Sequence, residues 1–493
     1  MTQVVIAGGG TVGLATAVFL GHHGVSSLVL ERREALSVHP RALGISPRTL
    51  EFFREAGLSE ALDRVAVRST LPWKADARTA AEIDRNRMAP RPAMFDATVV
   101  EQPRGHYPQD RIDAVLLPAA RERGARVEFG VAVTGVDQGD DGVSVTLSNG
   151  RLVRADYLVG ADGLRSTVRE ALGIPTTGPG VVGQGTMNIL FDADLVGYFG
   201  SMPTMCEISH PDAPGMLLAV GERRWVIHVP SGYVTDAAQT VRTALGADVP
   251  LDIIGAIEWR ATVQLAEKFR DGRAFLVGDA ARTISPLGAF GLNTGLADAH
   301  NLAWKLAMVL AGQAGGKLLD SYHEERHPVA EFVTRQALLR WENPRLHWDP
   351  SAVAERAAAG AWNAPLVTMG YRYDSSAVVG PVPPVPSTED LAASLDGAPG
   401  SRLPHRWLHA PKLSTVDVNE SRFAVLTGPA GGHWREAARE LRVPAVELPE
   451  DWPDSVGISA TGALLVRPDG FIAWRATGSD GNLAEVYATV TGR

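Results

Sequence analysis

The sequence predicts an α/β protein: a Rossmann-type dinucleotide-binding domain, interrupted by a mostly antiparallel sheet and followed by a smaller α/β unit. Three observations predict it. Val4–Ala7 is an apolar run that enters Gly8-Gly9-Gly10-Thr11-Val12-Gly13 and continues as an apolar helix to Gly21. Residues 177–261 change to short alternating segments divided by turn residues, the pattern of antiparallel strands. The stretch Pro381-Val382-Pro383-Pro384-Val385-Pro386 must run extended and stiff, and it sets off a last region of strands and helix. The expected boundaries are 1–70, 100–176 and 262–385 for the nucleotide domain, 71–99 and 177–261 for the inserted sheet, and 386–493 for the final unit.

Each glycine of the opening motif has its own task. Gly8 permits the tight strand-to-helix turn, Gly10 lets the backbone approach a pyrophosphate, and Gly13 lets the helix pack on the sheet. The helix start then presents free N–H groups to the phosphates. A second apolar strand, Ser27–Leu30, ends at Glu31, placed to accept hydrogen bonds from ribose hydroxyls. A membrane span or signal peptide over Val4–Gly21 is the rival reading. Three consecutive glycines, no basic residue ahead of the run and a strand straight after it oppose that.

Bulk composition narrows the class. A chain of 493 residues fits two or three domains. A net charge of −9 with no long basic run argues against nucleic acid or an anionic membrane as partner. The one cysteine, Cys206, rules out an intrachain disulfide or a thiolate metal cluster and reads as a buried structural thiol. A cytoplasmic, cofactor-using enzyme is expected, as a monomer or homodimer.

Along the chain, Arg41 follows the phosphate loop and is either a solvated charge or a pyrophosphate ligand. A helix spans Pro47–Ala56. Residues 70–100, with Trp73, Met94 and Phe95, leave the nucleotide domain as strands or loops. Pro108-Gln109 opens a helix over Asp110–Arg123, with Ile112, Val115, Leu116 and Ala119 on one face. Val127–Val136 and Val143–Leu147 alternate as strands around the turn Asp140-Asp141-Gly142. The strand Ala155–Gly160 runs into Ala161-Asp162-Gly163, and Ser166 caps a helix over Thr167–Leu172.

Within the inserted region, Thr186–Ala193, Met205–His210, Gly215–Val220 and Arg223–Val229 read as antiparallel strands, the last two joined at Gly221-Glu222. Trp225, Ile227 and Val229 share one face, and Val226 and His228 the other. One face toward a core and one toward a cavity would make a substrate platform. His228 is more commonly a structural histidine, and it stays a candidate. Next, Arg273–Arg282 is a buried strand reaching Gly278-Asp279, the loop Pro286–Gly295 is rich in glycine, and Leu296–Leu310 and Tyr322–Leu339 are helices. The tail has strands at Phe423–Leu426, Leu464–Arg467 and Phe471–Arg475 and a helix at His433–Leu441; without cysteine it can do no disulfide chemistry.

Three separated motifs thus stand in order: Gly8-x-Gly10-x-x-Gly13 with Glu31, Asp162-Gly163, and Gly278-Asp279. Together they resemble the class A flavoprotein monooxygenases, the para-hydroxybenzoate hydroxylase and phenol hydroxylase group. Pro399-Gly400-Ser401-Arg402-Leu403-Pro404-His405 and Leu465-Val466-Arg467-Pro468-Asp469-Gly470 look like the thioredoxin-like domain of the aromatic polyketide hydroxylases of antibiotic pathways. The resemblance implies FAD as cofactor, NADPH or NADH as transient co-substrate, and O2. It implies pyrophosphate contacts from Thr11, Val12 and Gly13, ribose contact from Glu31 with Arg32 beside it, and Arg41 at the diphosphate and flavin. Gln109 would reach the ribityl or flavin edge, Val133 the adenine, and Asp279 a ribityl hydroxyl. Asp162 and its neighbours would face the nicotinamide cofactor. Pro286 and Gly288 would lie near the flavin, and N–H groups of Gly291, Leu292 and Asn293 would stabilise negative charge near N1 and O2 of the reduced ring.

Two residues depart from the family pattern: Arg282 stands at the usual histidine and Ala289 at the usual second glycine of the loop. By resemblance, hydride reduces FAD, O2 adds as a C4a-hydroperoxide, and OH passes to an electron-rich aromatic carbon. Trp73, Tyr198, Met216 and His228 are candidates to line the substrate. A flavin halogenase is opposed by the lack of any Trp-x-Trp among the eleven tryptophans. A flavin dehydrogenase or oxidase without oxygen insertion, and a non-catalytic flavin-fold binding protein, are the other readings.

Overall fold

A computed structural model of the chain describes residues 2–68, 74–88, 100, 103, 105–409 and 413–493. Its first sheet runs in the order Arg270–Asp271, Ala274–Leu276, Tyr157–Gly160, Val4–Ala7, Ser27–Glu31 and Arg126–Phe129. Every pairing is parallel except that of the edge strand Arg270–Asp271. Strands buried on both faces must be continuously apolar, and Val4, Val5 and Ile6 are wholly buried. The Thr11–His22 helix, apolar all round, packs on this sheet and against the helices Gln109–Glu122 and Phe290–Leu310. Central Val4–Ala7 and its neighbours end on one side of the sheet, where an open parallel sheet holds its ligand.

The expected strand Val127–Val136 is two strands. Gly130, at φ +72°, turns the chain, so Arg126–Phe129 joins the parallel sheet while Val133–Gly139 starts a separate antiparallel meander with Gly142–Leu147 and Leu152–Ala155.

A second sheet has seven strands in the order Arg282–Thr283, Asp252–Ala266, Thr176–Asp192, Arg224–Pro230, Gly215–Ala219, Met205–Ile208 and Lys74–Ala77. All pair antiparallel except the last two. On its outer face Ile189, Phe191, Trp225, Ile227 and Val229 form a core with Leu195 and with Val241 and Leu245 of the Ala237–Leu245 helix. Cys206 lies in that core, where burial pushes its thiol up to about 12, so it is structural. On the inner face Leu190, Val220 and Val226 meet Leu43 from the nucleotide domain.

The tail forms a four-stranded sheet, ordered Ala445–Glu447, Ala424–Thr427, Ala463–Val466 and Ile472–Ala476, with helices Gly432–Glu440 and Leu483–Val490. It is tied to the nucleotide domain by buried ion pairs. Arg467 meets Glu325 at 2.9 Å, Glu325 meets Lys305 at 2.7 Å, and Arg402 meets Glu51, which also pairs with Arg48 at 2.7 Å. Among the described residues no helix is long and apolar enough to cross a membrane, and no cluster could hold a metal ion.

Candidate active site

The opening glycines differ in what surrounds them. A Cβ on Gly13 would lie 1.9 Å from the Gly8 carbonyl oxygen, and one on Gly8, at φ +103°, 2.3 Å from that of Ala161. A Cβ on Gly10 would meet nothing within 4 Å. Packing therefore demands Gly8 and Gly13, whereas Gly10 keeps space open before the helix. The helix takes Gly10 as its N-cap, with no side-chain cap and no acid in its first turn. Its first internal bond is Leu14 N–H to the Gly10 carbonyl at 2.9 Å, which leaves the N–H groups of Thr11, Val12 and Gly13 for a ligand. Glu31 is aimed by two backbone donors, Gly9 at 2.7 Å and Arg33 at 3.0 Å, and keeps acceptor capacity for hydroxyls. Arg32 is exposed at the lip, and the Val131 N–H bonds the Glu31 carbonyl at 3.0 Å, setting buried Val133 close by.

Behind the phosphate loop lies an acid that sequence reading missed. The Gln109 amide donates to Thr11 Oγ1 at 2.8 Å, and that hydroxyl donates to Asp113 at 2.5 Å. Burial pushes the Asp113 carboxyl up to about 7, with the Thr11 hydrogen bond opposing. An aspartate between Ile112 and Val115 on a buried helix face was the available signal. Arg41 is exposed, and its charge acts on both Asp113 and Asp279.

The three motifs converge. Added Cβ atoms on Gly278 and Gly295 would meet Val12 at 3.1 and 2.8 Å, and Gly8 abuts Ala161. Asp279 has protein around it yet remains accessible, as a residue on a crevice wall does; burial raises its pKa, opposed by Arg282 and Arg41. Asp162 is placed otherwise than expected. Its carboxylate turns onto the Thr167–Ala171 helix, accepting the Ser166 hydroxyl at 2.5 Å and the Val168 N–H at 3.1 Å. The carboxylate is thereby spent, and Ala161–Gly163 offers the crevice backbone.

The glycine-rich loop holds Gly288 at φ +98° and Ala289 at φ 54°, ψ 32°, a left-handed alanine that caps the Phe290–Leu310 helix. Pro286 is exposed and accepts the Ala289 N–H at 3.1 Å. With Ala289 as N-cap, the unpaired N–H groups belong to Phe290, Gly291 and Leu292. Asn293, the last of the expected trio, follows them. Its side chain ties loops: Oδ1 accepts from Ser46 N–H and Thr49 Oγ1, each at 2.7 Å, and Nδ2 donates to Ala289 at 2.8 Å. Arg282 is a buried strut. It reaches Asp298 at 3.0 Å and the carbonyls of Gly278 and Gly291 at 3.2 Å, while Arg326 holds the other Asp298 oxygen at 2.8 Å.

Of the substrate candidates, Met216 and His228 are register neighbours on the inner face of the second sheet. Tyr198 is not with them: it sits on the Leu195–Phe199 helix, whose Leu195 packs in the outer-face core, and it points to solvent at 52 % exposure. Trp73 lies outside the described residues.

Residues 1–337 match the family described as FAD binding domain, and residues 396–493 match the aromatic-ring hydroxylase C-terminal family. The chain belongs to the FAD-dependent aromatic-ring hydroxylases. This hydroxylase is 37% identical to the tetracenomycin B2 monooxygenase-dioxygenase of Streptomyces olivaceus over 98% of both chains. It is 35% identical to the aklavinone 12-hydroxylase RdmE of Streptomyces purpurascens, covering 100% of this chain and 98% of that one. The structure of aklavinone-11 hydroxylase with FAD and aklavinone superposes with a TM-score of 0.85 at 33% identity, over 100% of this chain and 99% of that one. The hydroxylase is an FAD-dependent aromatic monooxygenase that uses NAD(P)H and O2. Its residues fit FAD on structural grounds: the space before Gly10, two uncapped helix starts, and the accessible Asp279 carboxylate converge on one crevice.

Proposed function

We propose that this enzyme hydroxylates a polycyclic, polyketide-type aromatic compound held between the Gly288–Leu292 loop and the inner face of the second sheet. The observation that carries the reading is the span of residues 39–41. His39 bonds the Asn188 carbonyl of the sheet at 3.2 Å, and two residues on, Arg41 acts on Asp113 and Asp279 beside the phosphate loop. One short segment thus borders both the nucleotide crevice and the platform. Relatives named for tetracenomycins and aklavinone support a polycyclic substrate.

In this reading the Thr11–Gly13 N–H groups and Arg41 hold the pyrophosphate, Glu31 a ribose, Val133 the adenine, and Gln109 and Asp279 the ribityl chain. Bound FAD supplies hydride acceptance and oxygen activation. The protein's share is electrostatic and steric. The Gly291 and Leu292 N–H groups favour negative charge on the ring, and Arg282 fixes both loops around it. The apolar residues of the inner face, Leu190, Val220 and Val226, help exclude water from the oxygenated carbon. The nicotinamide cofactor meets the Ala161–Gly163 backbone in passing. A cytoplasmic location, with its supply of reduced nicotinamide, suits this reading.

NADPH oxidation by FAD-loaded enzyme tests the substrate class. Hydroxylated anthraquinones and naphthacenequinones are expected to accelerate it well above monocyclic phenols; equal stimulation by phenol or 4-hydroxybenzoate would overturn the class.

A further inference from the structure

Two polar side chains on the inner sheet face offer hydrogen bonds that the protein does not use. His228 and Asn188 stand directly opposite in an antiparallel pair and so project from the same face. Asn188, 6 % exposed, gives its Oδ1 to the Trp259 indole N–H at 2.6 Å and its carbonyl to His39 at 3.2 Å. The Trp259 bond fixes the amide so that Nδ2 is free, and among the described residues nothing accepts from it. Neither ring nitrogen of His228 has a partner there, and neither is sealed from the crevice. Water satisfies such open groups in the free protein, and a ligand that covers them must supply hydrogen bonds in its place.

We infer that His228 and Asn188 are specificity-determining residues that read a pair of substrate oxygens. A His228 ring nitrogen accepts the hydrogen bond of a neutral phenol hydroxyl, and Asn188 Nδ2 donates to an acceptor oxygen on the adjoining carbon. Trp259 and Met216 flank them and carry ring surface. Burial, with His39 beside it, pulls the His228 pKa down to about 4, so the ring is uncharged near neutral pH and keeps a lone pair. Among the described residues, Lys74 and Arg224 are the cations of this face, and both are paired. Lys74 pairs with Asp76 at 3.2 Å and Glu207 at 3.3 Å; Arg224 binds Asp110 at 2.7 Å and the Val38 carbonyl at 2.9 Å. The platform therefore selects an uncharged aromatic with vicinal oxygens over a benzoate. This assignment rests on the proposed function.

The test is equilibrium titration of oxidised, FAD-loaded enzyme, without NADPH, with 1,2-dihydroxyanthraquinone, its 2-methyl ether and 4-hydroxybenzoate. Wild type should bind the diol about tenfold tighter than the ether, the scale of one desolvated hydrogen bond. His228→Phe should bring that ratio to about one, His228→Gln should restore part of it by supplying an amide acceptor, and Asn188→Leu should weaken diol and ether alike. A His228→Phe enzyme that folds, holds FAD and still separates diol from ether as wild type does would overturn the inference, as would 4-hydroxybenzoate binding as tightly as the diol. The two readings fail separately. Turnover of polycyclic phenols with an unchanged ratio in His228→Phe sinks the inference alone, whereas the predicted ratios without turnover sink the proposed function alone.

Discussion

Gly10 and Gly13 sit three residues apart and answer to different forces. Gly13→Ala drives a Cβ into the Gly8 carbonyl, so the variant is expected to fail to accumulate as folded protein. Gly10→Ala adds a methyl to empty space, so the apo melting temperature should hold while FAD affinity falls by roughly a hundredfold, about 3 kcal/mol. Fluorescence titration of FAD against thermal melting separates the two. Asp113 makes a pH prediction. Its native pKa of about 7 stands above its ordinary 3.8, so its neutral form is favoured by folding. That contribution is full below the ordinary value and drains as pH rises toward the native one. The same ionisation places negative charge behind Thr11, so the FAD dissociation constant should climb as pH passes through about 7, and Asp113→Asn should flatten the climb. Ala289 pays a left-handed penalty that glycine would not; Ala289→Gly should add about 1 kcal/mol in denaturant unfolding.

At the scale of elements, one aspartate joins the strand, loop and helices around the ring site. Asp298 satisfies Arg282 and Arg326 together, all three side chains being at most 1 % exposed. Asp298→Ala would strand two buried guanidinium groups and should cost about 3–5 kcal/mol, read as a lowered melting temperature with weakened FAD retention. The sequence announced such elements wherever a local rule was sufficient: glycine turns, the Ser166 cap and apolar runs all declare themselves within a few residues. The Asp252–Ala266 strand is legible in its second half, where Ile257, Trp259, Ala261, Val263 and Leu265 alternate with polar residues. The first half of Thr176–Asp192 is better hidden, since Gly178, Gly180, Gly183 and Gly185 erase the strand pattern. Asp162 misled for another reason. It lies in the right loop, but whether its side chain faces ligand or helix is settled by partners such as Ser166 and Val168 that no motif specifies.

Across the whole molecule, the tail is a structural partner of the nucleotide domain. Glu325 and Glu51 find their counterions partly in Arg467 and Arg402, which the sequence shows inside the two tail motifs without showing what they pair with. Deleting residues 386–493 would take an arginine from each of these buried acids and leave only Lys305 and Arg48, so the shortened chain should be insoluble or fail to retain FAD, and the full chain should unfold in a single transition by calorimetry. That the three nucleotide motifs meet was legible, because each closes a strand of the parallel sheet and such strand ends share one side. How the second sheet's inner face is equipped was not, since register alone sets His228 opposite Asn188.

The central claim is oxygen transfer by a flavin housed where these loops meet. The most direct test is turnover of a polycyclic phenol with FAD-loaded enzyme and NADPH under isotopically labelled dioxygen, read by mass spectrometry of the product. One labelled oxygen atom in each hydroxylated product is predicted. An oxidised product free of label, formed with stoichiometric hydrogen peroxide, would contradict it.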